Sequence, residues 1–218
     1  MIDLHTHSRF SDGTESPEYI VGRAASAGVK MLALTDHDTL DGLPSFMKAA
    51  EKYPGLIAVP GIELSANDVD LLALGITKPR SLEDYRNAMK TEELPLKEVM
   101  DVALSLGAVP VLPHAVHTGK RGRALEELVE ELKSYGLMGI ECFHPDHSKA
   151  VAEECLALAR RHGLLVTCGS DYHGAYEPTR QIGYYGEGDW ENRPELEETR
   201  AFFKEWLEKG DGGVASRT

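Results

Sequence analysis

Short apolar runs alternate with longer stretches of helical periodicity along this chain. Ile2 to Leu4, Lys30 to Thr35, Leu56 to Pro60, Asp70 to Ile76, Ala108 to Leu112, Leu137 to Ile140 and Leu164 to Cys168 are each too short for a helix core and read as buried strands. Between them, apolar residues at spacings of three and four predict helices. One opens at Ser16-Pro17-Glu18, buries Ile20, Val21, Ala24 and Ala25, and stops at Gly28. Others are predicted over about 43–52, 96–106, 124–135, 148–162 and 194–208. Residues 77–93 are polar and read as a short helix between loops, and 210–218 are Gly-rich and read as a frayed, flexible tail.

Strand–helix alternation argues for an α/β fold with a parallel sheet, and its near-regular spacing favours a barrel. The strands on either side of 61–69 have no helix between them, which argues against a regular eightfold barrel. No linker or low-complexity tract divides 1–209, so one domain is expected there.

Composition adds limits. The 218 residues carry a formal charge of -13, which leaves no basic stripe for a nucleic-acid polymer and argues against one as partner. A small anionic substrate needs metal ions or a local Lys/Arg cluster to reverse that field. No apolar run is long enough for a membrane-spanning helix, and the second residue already begins a strand with no basic leader before it, so a cytoplasmic protein is expected. Cys142, Cys155 and Cys168 form no CxxC pair and read as small residues of a reduced interior. Oligomeric state leaves no mark in the pattern.

The chemistry lies just past the strand ends, where parallel α/β folds gather functional groups. Of nine histidines, eight fall in such positions; only His162 sits in a helix, near its C-terminus. His5 and His7, two apart on an extended segment, share a face. His37, His114 and His173 follow three other strands, with His117, His144 and His147 nearby, and Asp12, Glu63 and Asp171 fall in the same windows. Imidazole mixed with carboxylate, without thiolate pairs, suits Zn, Mn or Fe, and the number of candidates exceeds one tetrahedral ion. Two or three divalent ions sharing a carboxylate is the natural count.

With these positions in hand, the chain resembles the PHP superfamily (polymerase and histidinol phosphatase). The matching motifs are Asp3-Leu-His-Thr-His-Ser8 with Ser11-Asp-Gly13, Leu34-Thr-Asp-His-Asp-Thr39, Pro60-Gly-Ile-Glu-Leu-Ser65, Leu112-Pro-His114, Gly139-Ile-Glu141 with His144-Pro-Asp-His147, and Gly169-Ser-Asp-Tyr-His-Gly174. The likeness is greatest to the small stand-alone metal-dependent phosphoesterases of that group. It implies a distorted, TIM-like (β/α)7 barrel with a metal cluster at the C-terminal rim. It implies one ion on His5, His7, Glu63 and Asp171, a second on Asp12, His37 and His173, and a third on Glu63, His114 and Asp70. Asp70 stands where relatives often carry His, Ala115 replaces the usual Pro after His114, and an insertion common after Ile76 is nearly absent.

The activity expected is hydrolysis of a small phosphomonoester or phosphodiester by attack of a metal-activated hydroxide. His147 is expected to contact phosphate or protonate the leaving group. Asp36 and Asp38 are expected to orient ligands or cap the next helix. Arg121, within Lys120-Arg121-Gly122-Arg123, and Arg180 are the candidate phosphate-binding residues. A proofreading-type exonuclease, a metal-dependent amidohydrolase and a noncatalytic metal clamp are the alternatives.

Overall fold

The computed structural model describes residues 1–210 apart from 67, 68, 84, 86, 88–93, 187, 189 and 191. About half of the expected short helix in 77–93 therefore lies outside the described residues, as does the expected tail beyond Gly210. Seven strands form one sheet in chain order: β1 (Ile2–Asp3), β2 (Met31–Leu34), β3 (Ile57–Leu64), β4 (Leu71–Leu74), β5 (Val109–Leu112), β6 (Gly139–Phe143) and β7 (Leu165–Cys168). Beyond β1 the chain bonds back to the chain beyond β7: Leu4 N donates to Cys168 O at 3.0 Å, Asp171 N to His5 O at 2.9 Å, and His7 N to Tyr172 O at 2.9 Å. These bonds bring the first and last strands together into a nearly closed barrel.

Six α-helices are found among the described residues: α1 (Pro17–Ser26), α2 (Leu43–Ala50), α3 (Leu96–Ser105), α4 (Arg123–Tyr135), α5 (Lys149–His162) and α6 (Pro194–Lys209). Their starts follow local chemistry. Ser16 accepts from Tyr19 N with Pro17 in the first turn, and Ser148 accepts from Val151 N. Thr199 on α6 donates to Val166 O at 2.7 Å and fastens that helix to β7. Leu4, Leu32, Leu34, Ile62, Leu64, Leu71 and Leu72 are fully buried, so the sheet itself carries much of the core. No helix among the described residues is long and apolar enough to cross a membrane.

One strand departs from the expected parallel sheet. β4 runs antiparallel to both β3 and β5, whereas the other neighbours are parallel. The chain between Leu64 and Leu71 is too short for a crossover, which needs a dozen or more residues, so β4 must return as a hairpin. β3 also runs past the expected end at Pro60. It pairs with β2 through Pro60 and with β4 from Gly61 onward, so the proline, which cannot donate, falls where the strand changes partners. The reversal places the start of β4, and Asp70 just before it, at the rim where the parallel strands end.

Candidate metal centre

All nine expected ligands meet at that rim. The first group is His5, His7, Glu63 and Asp171, all buried; the second is His7, Asp12, His37 and His173; the third is Glu63, Asp70 and His114. In each group one ligand atom per residue lies within 4.8 Å of the others. Glu63 is central. Its Oε2 lies 2.9 Å from His5 Nε2, 3.1 Å from His7 Nε2 and 3.5 Å from His37 Nε2, while its Oε1 lies 2.8 Å from His114 Nε2. Asp171 Oδ1 faces His5, His7 and His173 at 3.4, 3.2 and 3.5 Å. His173 Nε2 lies 3.2 Å from Asp12, and His114 Nε2 lies 4.0 Å from Asp70.

Both ring nitrogens of His7 are buried without a hydrogen-bond partner. Such orphaned groups are costly unless something else satisfies them. Neighbouring rings are pre-aimed through the nitrogen that faces away from the cluster. His5 turns Nδ1 to Glu141 Oε1 at 3.2 Å, and His173 donates Nδ1–H to Asp171 O at 2.9 Å, so both present Nε2 inward. The residues present thus fit divalent ions: imidazole and carboxylate donors, aimed, partly orphaned, and without thiolate, since the three cysteines are buried and unpaired elsewhere.

Electrostatics point the same way. Burial disfavours charge on His5 and His7, yet Glu63 and Asp171, joined at His5 by Glu141, outweigh it. The His5 imidazole is held well above its usual pKa, and that of His7 is pushed up to about 9. Burial opposes ionisation of Glu63 and Asp171 in turn, and the surrounding histidines hold both carboxyls below the usual range. Asp70 is the exception: burial and then the Glu63 charge raise it. The site is therefore a nest of negative charge that attracts protons when nothing larger is bound.

The residues outside the ligand groups depart from expectation in instructive ways. Asp146 N donates to His144 Nδ1 at 3.1 Å, so His144 carries its proton on Nε2 and donates to Asp171 Oδ2 at 3.3 Å. Arg180 donates to the same oxygen, and also pairs with Asp146 at 2.8 Å and with Glu177. The guanidinium expected to bind phosphate is thus committed to three carboxylates. Asp171 Oδ2 is clamped, and Oδ1 is left for the cluster.

His147 is placed against expectation as well. Its Nδ1–H donates to Cys142 O at 3.0 Å, its Nε2 accepts from Val116 N at 3.4 Å, and burial lowers its pKa to about 4. It therefore carries no proton to give to a leaving group at neutral pH. Asp38 accepts from Ser65 N at 2.9 Å and from the Tyr85 hydroxyl at 3.0 Å, tying the end of β2 to the end of β3. Asp36 accepts from Ser8 N, Ser8 Oγ and Ser11 Oγ at 2.6, 2.7 and 2.9 Å, and so shapes the loop carrying Asp12. Neither caps α2, whose N-cap is Gly42 without a side-chain bond.

Arg121 is exposed, bonds the Lys120 carbonyl at 2.7 Å, and is not among the residues lining the cavity beside Asp70; Lys120 is. Glu141 and His144 contact the candidate ligands and were left out of the site by sequence reasoning. Their signal was present, since both follow the strand-end rule. A fourth acidic–histidine group, Glu126, Glu130 and His162, lies on α4 and α5, where Arg161 already neutralises Glu126.

Glycine makes one contact possible. A Cβ on Gly169 would overlap the His5 side chain and approach Glu141 Oε1 to 2.7 Å and His5 N to 3.0 Å. Only glycine lets the end of β7 pass this close to the His5–Glu141 pair.

Similar proteins identify the family. The chain is 27% identical over 261 aligned positions to a phosphoribosyl 1,2-cyclic phosphate 1,2-diphosphodiesterase of Eggerthella lenta, with 84% of this chain and 97% of that one covered. It is 23% identical over 259 positions to a 3',5'-nucleoside bisphosphate phosphatase of Chromobacterium violaceum, with 84% and 90% covered. Its fold matches the structure of an amidohydrolase from Chromobacterium violaceum solved with sulfate and no metal, at a TM-score of 0.74 and 24% identity, covering 92% of this chain and 96% of that one. The PHP domain model matches residues 3–209, almost the whole described barrel, and the chain accordingly belongs to the PHP domain family of metal-dependent phosphoesterases.

Proposed function

We propose that the chain hydrolyses a small molecule carrying two phosphoryl groups, at a cluster of two or three divalent ions (Mn, Zn or Fe) held by His5, His7, Asp12, His37, Glu63, Asp70, His114, Asp171 and His173. The observation that carries this reading is the convergence of these residues into three overlapping donor groups sharing Glu63 and His7. The two curated relatives support the substrate class: both names describe substrates with a second phosphate besides the one attacked. Residues 1–209 act as one catalytic unit in this reading. The cytoplasm is the compartment that three unpaired, buried cysteines suit.

Divalent ions, when bound, polarise the phosphoryl oxygens and lower the pKa of water. The chain's residues prepare that chemistry. Glu141 and the Asp171 carbonyl fix the tautomers of His5 and His173. Arg180 and His144 hold one oxygen of Asp171 and thereby direct the other inward. Asp36 engages the hydroxyls of Ser8 and Ser11 and so holds the loop that carries Asp12. Water is the nucleophile in this reading, with no phosphorylated side chain. His147 stays neutral and packs against Cys142, and Asp38 braces the rim.

The test is phosphate release from mono- and bisphosphorylated nucleosides and sugars by protein loaded with Mn, Zn or Fe, beside Asp171→Asn at matched metal content. Metal-dependent release, reduced by orders of magnitude in the variant, is expected. Equal turnover by the variant would remove Asp171 from the centre. No release with any metal would overturn the phosphoesterase chemistry for these substrates.

A further inference from the structure

Beside Asp70 and His114 opens a cavity of about 410 Å³, whose other polar lining comes from His117, Thr118 and Lys120. These three belong to the 3-10 turn Ala115–Thr118 and the residues just after it, a continuation of the backbone that carries His114. The turn is held internally. His117 N donates to His114 O at 2.8 Å, Thr118 Oγ1 donates to Ala115 O at 2.8 Å, and Lys120 N donates to Thr118 Oγ1 at 3.1 Å. The His117 ring stacks on His114 with centroids 4.5 Å apart, and its Nε2 lies 2.8 Å from Asp146. The backbone of Lys120 is thus fixed relative to the centre.

The cations around the rim differ in what they are free to do. Arg180 is committed to Asp171, Asp146 and Glu177, and Arg123 pairs with Glu127 at 2.7 Å. Arg121 turns back on the Lys120 carbonyl. Among the described residues, Lys120 pairs with no carboxylate, although the chain carries 36 acidic side chains against 23 Lys and Arg. Glu131 lines the adjoining cavity that Lys120 also borders, and it accepts from the Tyr135 hydroxyl at 3.2 Å. Lys120, paired with no carboxylate among the described residues and lining a cavity that opens onto Asp70 and His114, is set for an anion that arrives with the substrate.

We propose that Lys120 is a specificity-determining residue and that this cavity holds the second, non-reacting phosphate of a small bisphosphorylated substrate while the first sits at the metal centre. The proposal rests on the phosphoesterase reading above. It selects the substrate class from the chain's own charges, and it replaces Arg121 as the basic residue of this loop that meets the substrate. A single charge-assisted contact to phosphate corresponds to about a 10- to 100-fold preference.

The experiment compares kcat/KM of metal-loaded protein for adenosine 3',5'-bisphosphate and adenosine 3'-monophosphate, in the wild type, Lys120→Met and Lys120→Arg. Metal content and circular dichroism are matched across the three. The wild type is expected to favour the bisphosphate by about 10- to 100-fold. Lys120→Met should collapse that ratio, chiefly through a higher KM for the bisphosphate, and Lys120→Arg should keep most of it. A ratio unmoved by Lys120→Met, with both compounds still hydrolysed, overturns the subsite and leaves the phosphoesterase reading standing. So does an equal fall for both compounds, since Lys120 would then serve the reacting group or the fold. Absence of release from either compound by the wild type overturns the parent reading instead, and the subsite with it.

Discussion

Glu141→Gln separates orientation of the centre from its stability. The carboxylate is fully buried and meets two donors: His5 Nδ1 at 3.2 Å on Oε1 and the His114 backbone N–H at 2.8 Å on Oε2. Glutamine keeps the shape but offers one acceptor. The His114 N–H cannot move its proton, so the amide oxygen must face it, and the NH₂ group must face His5. In the metal-free fold His5 is held protonated, so it must give up the Nδ1 proton and keep the one on Nε2, the nitrogen 2.9 Å from Glu63 Oε2. Without metal Nε2–H still donates to Glu63, and what is lost is the pairing of the Glu141 charge with His5, about 1.5–3 kcal/mol. With metal a further cost appears, since freeing Nε2 to ligate forces the remaining proton onto Nδ1, against the amide NH₂. Loss of an outer partner of a metal-bound imidazole lowers affinity about 10- to 100-fold, which is about 1.4–2.8 kcal/mol. Urea unfolding in chelator and competitive Mn titration against an indicator read the two quantities separately. Unchanged Mn affinity would refute the idea that Glu141 sets the His5 tautomer. A loss of metal-free stability beyond about 3 kcal/mol would mean that the fold depends on the carboxylate for more than its pairing with His5.

Three further expectations come from the same geometry. Gly169→Ala should destabilise the fold by about 1–3 kcal/mol in urea, because the added methyl meets the His5 side chain and the adjacent backbone; an unmoved midpoint would mean that β1 and β7 separate easily. In the metal-free fold the pKa of His7 is raised from 6.5 to about 9. Its protonation therefore stabilises that fold fully below pH 6.5, and the contribution is lost as pH rises through 9. Metal binding must displace this proton, so affinity should climb from pH 7 toward 9, and calorimetry in buffers of different ionisation enthalpy should register proton release; a heat independent of buffer contradicts this. Asp38→Ala strands the Ser65 N–H, while the Tyr85 hydroxyl keeps the Ser65 carbonyl at 2.9 Å, so about 1–3 kcal/mol of stability should be lost in thermal unfolding. A shifted pH–rate profile without that loss would return Asp38 to the chemistry.

How much of this was legible in the sequence depends on whether a local rule covered it. The convergence of the candidate ligands was visible because parallel strands deliver their C-terminal ends to one rim, so an apolar run followed by His, Asp or Glu is a spatial statement as well as a linear one. Asp70 tests the limit of that reasoning. It precedes its strand, and it reaches the rim only because β4 runs backwards, which follows from the short connection and not from any pattern within the strand. The directions of Arg121 and Lys120 were not legible, since loop periodicity does not say which of two adjacent basic residues faces a cavity. Nor were the roles of Arg180, His144 and His147, because each depends on partners that arrive from other segments: Asp171, the Asp146 amide and the Cys142 carbonyl.

Backbone conformation ties the centre's chemistry to its stability. Among the described residues three non-glycine residues have positive φ, at 54° for Asp38, 20° for His114 and 49° for Asp171, and all three lie at this rim. Such conformations cost about 1–3 kcal/mol each and persist only where surrounding structure enforces them. Here the enforcement is visible. His114 N is held by Glu141, Asp171 N by His5 O, and Asp38 N by Glu63 O at 2.9 Å. Beneath them β2, β4 and β5 are buried at every position. The rim is thus strained and rich in like charge above a well-packed sheet. Cations at the centre relieve the charge without changing the packing below. Removing metal should accordingly lower the thermal midpoint and speed amide exchange first in the segments around 37–38, 114 and 171–173, while the sheet strands keep their protection.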